Sequence, residues 1–223
     1  MDQSKPGSFE LPISKLEGTY HHGNLKEALK QCAAKLMLDQ GSVQFGMRDI
    51  AKLAGVSPGA AYKHFKSKSH LLSALAADGF KSLLEDLKQR LGKSPCSLCE
   101  FSEIFYDSLL NFSNKNRTLT ATMLRINFSE LGPRSDLYLS AKYFLNFCAQ
   151  FILFTKTKRK GVFRETPELG LNFLFLWTYM QGVMSSNLNE AIPVFTGVSK
   201  KDQNLLLKKI LIRFTDQNSE VQT

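Results

Sequence analysis

Along this chain of 223 residues the apolar positions recur at intervals of three and four, while alternating β-branched runs bounded by turns are absent. The pattern predicts an all-α protein. A first stripe of Leu25, Ala28, Leu29, Cys32, Ala33, Leu36 and Met37 follows His21-His22-Gly23-Asn24, and Gly41 offers a left-handed stop. A short helix is expected over 47–54, ended by Gly55. Ser57-Pro58 then places a capping hydroxyl before a proline at the first position of a third helix, which runs to about Phe65. Ser67 caps a fourth, whose stripe includes Leu71, Leu72, Leu75, Phe80, Leu83, Leu84 and Leu87 and which closes near Gly92. Mid-way along it, Gly79 is a residue that helices disfavour.

The character changes at Lys93-Ser94-Pro95, beyond which 13 of the 17 phenylalanines lie after residue 100. Helices are expected at about 97–115, 116–130, 135–158, 166–189 and 199–216, with Pro133, Gly161 and Pro193 marking gaps. The organisation read from this is linear. A polar arm (1–18) precedes a small helical head (19–66), a connector helix (67–92) and a larger helical domain (93–223).

Composition adds a partner class. An apolar content of 43% permits a substantial core, and the net charge of +9 suits a polyanion. The excess is local: from residue 41 to 70 Arg48, Lys52, Lys63, Lys66 and Lys68 stand against Asp49 alone. Cys96 and Cys99 have a CxxC spacing, but no second pair or nearby histidines complete a zinc site, so no metal and no cofactor are expected. Adjacent His21 and His22 likewise lack the spacing of a metal site. Residues 169–189 carry no charge, yet Asn172, Thr178, Gln181, Ser185, Ser186 and Asn187 interrupt them. A buried interface helix fits them better than a membrane span, and with no signal-peptide pattern at the N-terminus a cytoplasmic protein is expected.

The strongest local signal is Arg48-Asp49-Ile50-Ala51-Lys52-Leu53-Ala54-Gly55-Val56-Ser57-Pro58. Two short helices crossing steeply need a small residue where they press closest, here Ala51, and a positive φ in the turn, here Gly55. Ile50, Ala54, Val56, Ala61 and Phe65 supply the apolar contacts of such a helix-turn-helix.

Ile-Ala-Lys-Leu-Ala-Gly-Val-Ser at 50–57, with Ala60-Ala61-Tyr62-Lys63-His64-Phe65 and Lys68-Ser69-His70-Leu71-Leu72, resembles the signature of the TetR family. Tyr20-His21-His22-Gly23-Asn24-Leu25 resembles the entry to the first helix in many members. Leu176-Trp177-Thr178-Tyr179-Met180-Gln181-Gly182 resembles the subfamily with a C-terminal Trp-His-Gly signature, with Gln181 in the place of the histidine. The resemblance implies a ligand-responsive transcriptional regulator, a repressor in most members, that binds double-stranded DNA as a homodimer. A small molecule in the C-terminal body would move the connector, spread the heads and release the DNA.

In such a motif the second helix enters the major groove with its N-terminal residues against the bases. Those residues are Pro58, Gly59 and Ala60, which have no hydrogen-bonding side chains. Readout is therefore expected from Lys63, from Arg48 and from apolar contact with thymine methyls. Asp49 is an alternative partner for Arg48. Tyr62, His64 and Lys68 match family positions that clamp phosphates, whereas Gly46 and Met47 lack the hydroxyl that often opens the motif's first helix.

In the body, phenylalanines recur at helical spacing, among them Phe101, Phe112, Phe144 and Phe154. An apolar or amphipathic effector is expected in a pocket with Phe105, Phe128, Phe147, Phe151, Trp177 and Gln181 as candidate lining, core packing being the alternative for each ring. Leu205, Leu206, Ile210 and Phe214 on the last helix, beside the uncharged 169–189 segment, are the candidate dimer interface. Two other readings are an architectural DNA binder without a sensor and a helical enzyme with an apolar pocket. The second lacks an activated nucleophile, paired carboxylates or metal spacing.

Overall fold

The computed structural model describes residues 24–92, 97–125, 135–157, 167–189 and 197–217. These form nine helices and no strand: α1 (Leu25–Gln40), α2 (Met47–Leu53), α3 (Pro58–His64), α4 (Lys68–Leu91), α5 (Leu98–Lys115), α6 (Arg117–Arg125), α7 (Asp136–Thr157), α8 (Pro167–Leu188) and α9 (Lys200–Gln217). The expected elements thus recur in the expected order. Their boundaries follow from local chemistry. Asn24, Ser57, Ser67, Ser97, Ser135 and Ser199 each accept a hydrogen bond from a backbone N–H three residues on, satisfying a donor that the first turn leaves orphaned. Gly41 ends α1 at φ 59°, the left-handed region that only glycine enters cheaply.

The chain forms two compact units, and they do not follow its linear order. The first comprises Met1–Phe80 with Lys115–Leu139; the second comprises Lys81–Asn114 with Ser140–Thr223. The backbone passes between units within α4, one residue after the buried Gly79, then at the last residue of α5, and within α7.

In the first unit α1, α2 and α3 pack on one another and α1 also meets α6. Leu29, Cys32, Ala33, Ile50, Ala51, Ala61, Phe65 and Leu71 are fully buried in this core. The N-terminal part of α4 is tied to α1 by an ion pair. Lys30 lies 2.7 Å from Glu27 and hydrogen-bonds Asp78, 48 positions away. Burial opposes the charge on Lys30, but the Asp78 and Glu27 hydrogen bonds outweigh it and hold its pKa above the ordinary lysine value. Asp78→Asn is expected to lower stability at pH 7 by about 1–2 kcal/mol. Because the folded pKa is raised, the wild-type advantage is complete below the ordinary value of 10.5 and fades as pH climbs through the higher folded value. Urea titrations of both proteins at pH 7 and above pH 11 check this; an equal gap at both would contradict it.

The second unit is built on aromatic rings. Phe101 stacks on Phe151 (centroids 4.5 Å apart) and on Phe105 (5.9 Å), and Phe105 continues to Phe144 (6.0 Å) and Tyr179 (6.4 Å). Each separation is in the range where offset rings attract. Helices α8 and α9 run antiparallel: Phe175 stacks on Phe214, the Tyr179 hydroxyl donates to the Leu207 carbonyl (2.8 Å), and the Lys200 ammonium donates to the Ser186 and Asn187 carbonyls.

Cys32 and Cys148 are fully buried, and burial pushes both thiols above the usual pKa, so they pack as small hydrophobes. Cys99 is exposed; Cys96, His21 and His22 lie outside the described residues. Among the described residues no helix is long and apolar enough to cross a membrane, and no group of three or more His, Cys, Asp or Glu side chains is placed to hold a metal ion.

Candidate nucleic-acid interface

The turn between α2 and α3 is held by its own backbone. Gly55 at φ 69° lets its N–H reach the Lys52 carbonyl (3.1 Å) while the Val56 N–H reaches that of Ala51 (3.0 Å). This paired closure satisfies the end of α2 and turns the chain sharply into α3. Ser57 then caps α3, with Pro58 at its first position. Ile50, Ala51, Ala61 and Phe65 lock the crossing from beneath, with Ala54 and Val56 half-buried at its margin.

With those residues turned inward, the opposite face is cationic. Arg48 and Lys52 on α2, Tyr62, Lys63 and His64 on α3, and Lys66 just beyond are exposed, as are Pro58 and Gly59; Ala60 is half-buried. The single anion of this stretch is already engaged, because Asp49 accepts the Gly46 N–H at 2.7 Å and thereby caps α2. Among the described residues Arg48 makes no ion pair, and the alternative pairing with Asp49 does not form. The same bond satisfies the α2 terminus without the missing hydroxyl at residues 46–47.

Lys68 is placed differently from its neighbours. It is half-buried, its ammonium donates to the Val43 carbonyl and stands 5.2 Å from the centre of the Phe45 ring. One of its three donors is therefore spent on closing the loop between α1 and α2, and the rest remain at the head of α4. His70 supports the same corner: its ring meets Phe65 edge-on (5.5 Å) and its Nδ1 accepts the Lys66 N–H. The exposed cations Lys52 and Lys66 share this face although the signature positions do not single them out; the local charge count is the signal that contains them.

In the body, Phe105 and Phe151 join one aromatic stack through Phe101, so these two candidate lining residues sit together. Phe147 on α7 is half-buried, as are Trp177 and Gln181, one turn apart on α8. Phe128 and the side chain of Phe154 lie outside the described residues. Of the candidate interface residues, Leu205, Leu206 and Ile210 are 51%, 56% and 43% exposed, whereas Phe214 is half-buried against Phe175. Among the described side chains of α8, Gly170, Leu171, Leu174, Thr178, Gly182 and Ser185 are exposed, and none is charged.

Residues 31–75 match the model of the bacterial regulatory proteins of the tetR family, and this span contains the whole α2–turn–α3 motif just described. Over residues 31–75 the chain is similar to the N-terminal domain of that family. The chain is 30% identical over 94 residues to the HTH-type transcriptional regulator SAB2452 of Staphylococcus aureus (strain bovine RF122 / ET3-1), covering 42% of this chain and 50% of that one. It is 31% identical over 83 residues to the HTH-type transcriptional repressor KstR2 of Mycolicibacterium smegmatis (strain ATCC 700084 / mc(2)155), covering 37% and 40%. The matched segment thus spans half the length of those relatives or less. Solved structures extend the likeness over most of the chain, as fold alone. A protein of unknown function from Rhodococcus sp. RHA1 matches with a TM-score of 0.64 at 20% identity, over 89% of this chain and 98% of that one. RolR (NCGL1110), solved with resorcinol, matches with a TM-score of 0.58 at 18% identity, over 88% and 93%. A TetR-type head followed by a helical C-terminal part is therefore the architecture of this chain.

Proposed function

We propose that this protein is a ligand-responsive transcriptional repressor that acts as a homodimer on a palindromic operator and is released by a small molecule held in its helical body. The observation that carries the reading is the exposed cationic face of the TetR head: Arg48, Lys52, Lys63 and Lys66 stand out from a rigid helix-turn-helix whose only local anion is committed to a cap. Phosphate attraction supplies affinity, and α3 in the major groove supplies choice of sequence. Lys63 and Arg48 would read base edges. Tyr62, His64 and the remaining donors of Lys68 would hold phosphates, while Pro58, Gly59 and Ala60 allow the backbone close to thymine methyls. Such a regulator works in the cytoplasm, beside its DNA, and has no catalytic step.

The dimer reading rests on the uncharged exposed positions of α8 and on Leu205, Leu206 and Ile210 of α9, which stand among the exposed Lys209 and Arg213, since large apolar side chains grouped on one surface mark an interaction site. Two such pairs of helices would make a four-helix bundle about a two-fold axis. The sensor reading draws on the aromatic body and on RolR, whose structure was solved with resorcinol. The Trp177–Gly182 segment has a tryptophan and a glycine, with Gln181 in the place of the histidine, and kinship with the Trp-His-Gly subfamily is proposed on that faint resemblance alone.

Selection from a random DNA pool tests the function directly. The enriched sequences should be palindromic, with half-sites roughly 34–36 Å apart or somewhat more. No enrichment, or a single asymmetric site, would overturn the proposal. On the selected operator, Lys63→Ala and Arg48→Ala should each relax preference at particular base pairs by about 1–3 kcal/mol. Lys68→Ala should instead weaken all sequences alike and lower the salt slope by roughly one unit. Titrations over a panel of altered operators separate the two roles; the reverse pattern would reject this assignment.

A further inference from the structure

The interior of the second unit holds polar atoms that its own packing leaves unpaired. Tyr106 on α5 is 2% exposed, yet its hydroxyl has no hydrogen-bond partner. The Gln203 Oε1 on α9 and the Ser108 Oγ on α5 are buried in the same condition. Thr120 Oγ1 on α6, in the first unit, is likewise unpaired, whereas other buried polar groups of the second unit are satisfied. Tyr179 donates to the Leu207 carbonyl, Ser102 to that of Leu98, and the Asn187 Nδ2 to both the Ser113 Oγ (2.7 Å) and the Asn114 Oδ1 (2.8 Å). A phenol that loses its water and gains nothing in return destabilises the fold, and phenylalanine would fill the same space without that loss. A tyrosine at this position therefore has a use outside the folded chain's own bonding.

The surroundings define what would complete it. Tyr106 follows Phe105, whose ring stacks on Phe101, Phe144 and Tyr179. Tyr179 reaches α9 one turn beyond Gln203. Tyr106 is also near enough to Tyr179 to help raise its pKa. Burial drives both phenols far above the usual value, so each is a neutral donor at any physiological pH. Among the described residues no Asp, Glu, Lys, Arg or His is buried. A charged ligand entering this interior would lose its hydration and meet no counter-ion.

We propose that Tyr106 is the polar anchor of the effector site, and that the effector is an uncharged, largely apolar molecule with an oxygen that accepts the Tyr106 hydroxyl, such as a ketone or an alcohol. This rests on the ligand-responsive reading above and narrows it. The phenol O–H donates to the effector oxygen, the aromatic stack provides the apolar wall, and the buried Gln203 Oε1 is an acceptor for a polar hydrogen of the effector.

Three probes on one ring system test it on the full chain by calorimetry: 2-acetylnaphthalene, naphthalene and 2-naphthoate. The ketone should bind about tenfold tighter than naphthalene, the worth of one buried hydrogen bond, and the carboxylate weakest of the three. Tyr106→Phe should reduce the ketone's advantage to about one while leaving naphthalene affinity and melting temperature equal or higher. Carboxylate binding as tight as ketone binding, a ketone preference that survives in Tyr106→Phe, or no binding of any probe would overturn the inference. The same preparations are titrated with the selected operator. DNA binding without probe discrimination sinks the inference and leaves the DNA-binding reading intact; discrimination without DNA binding supports the inference and sinks that reading.

Discussion

Phe65→Ala should destabilise the protein by about 3–5 kcal/mol and abolish operator binding. The ring is fully buried at the end of α3, where the Phe65 N–H also closes the helix on the Ala61 carbonyl (3.0 Å). It meets His70 edge-on and lies under the Lys26 ammonium, 5.9 Å from the ring centre. Truncation removes the apolar surface and leaves a cavity that the short helices of the head cannot close without changing the α2–α3 crossing. For a chain of this size the loss corresponds to roughly 6–20 °C in melting temperature. Circular dichroism melts and gel shifts measure the two effects. Lys63→Ala is the control, since an exposed side chain should alter DNA binding with little change in melting. A Phe65→Ala protein that melts with the wild type and still shifts DNA would show that the head's geometry does not depend on this ring.

The second large effect is expected at the exposed leucines of α9. Leu206 is more than half exposed in the single chain, so Leu206→Glu should leave the protomer's fold within about 0.5 kcal/mol of wild type. In a two-fold dimer the same substitution occurs twice and places a carboxylate on each side of the interface. Loss of two anchoring leucines at about 2 kcal/mol each amounts to roughly a thousandfold in the dimer constant. Sedimentation at micromolar concentration should then find a folded monomer, and affinity for the palindrome should fall towards that of one half-site. A Leu206→Glu protein that stays dimeric and binds the operator normally would move the interface elsewhere.

Much of this was legible in the sequence because it is local. Capping needs a hydroxyl or amide three residues before an orphan N–H, and Ser57 and Ser67 are visible as such. A left-handed turn needs glycine, and Gly41 and Gly55 adopt the positive φ expected of them. The apolar period of three to four marked the helices, and the run from Ile50 to Phe65 marked the helix-turn-helix, because the bonds that close its turn and cap its second helix join residues at most five apart.

What the tertiary structure alone decided involves partners far apart in the chain, or a choice between partners. Asp49 had both Arg48 and the start of α2 as candidate partners; the Gly46 N–H at the helix start took it, and that left Arg48 without it. Lys68 reads in sequence as a point charge for phosphate, yet the fold brings the Val43 carbonyl 25 positions back beneath it. The Lys30–Asp78 tie spans 48 positions, and no spacing rule reaches that far. In the body, helical spacing marked the phenylalanines as inward-facing but could not say which rings meet; α5, α7 and α8 together stack Phe101, Phe105, Phe144, Phe151 and Tyr179. Nor could periodicity distinguish the paired hydroxyl of Tyr179 from the unpaired one of Tyr106, because both lie on buried helix faces. Sequence periodicity determines which face of a helix leaves water, since that depends only on turn geometry. Which polar group on that face finds a partner depends on the approach of other helices, and only the folded chain sets it.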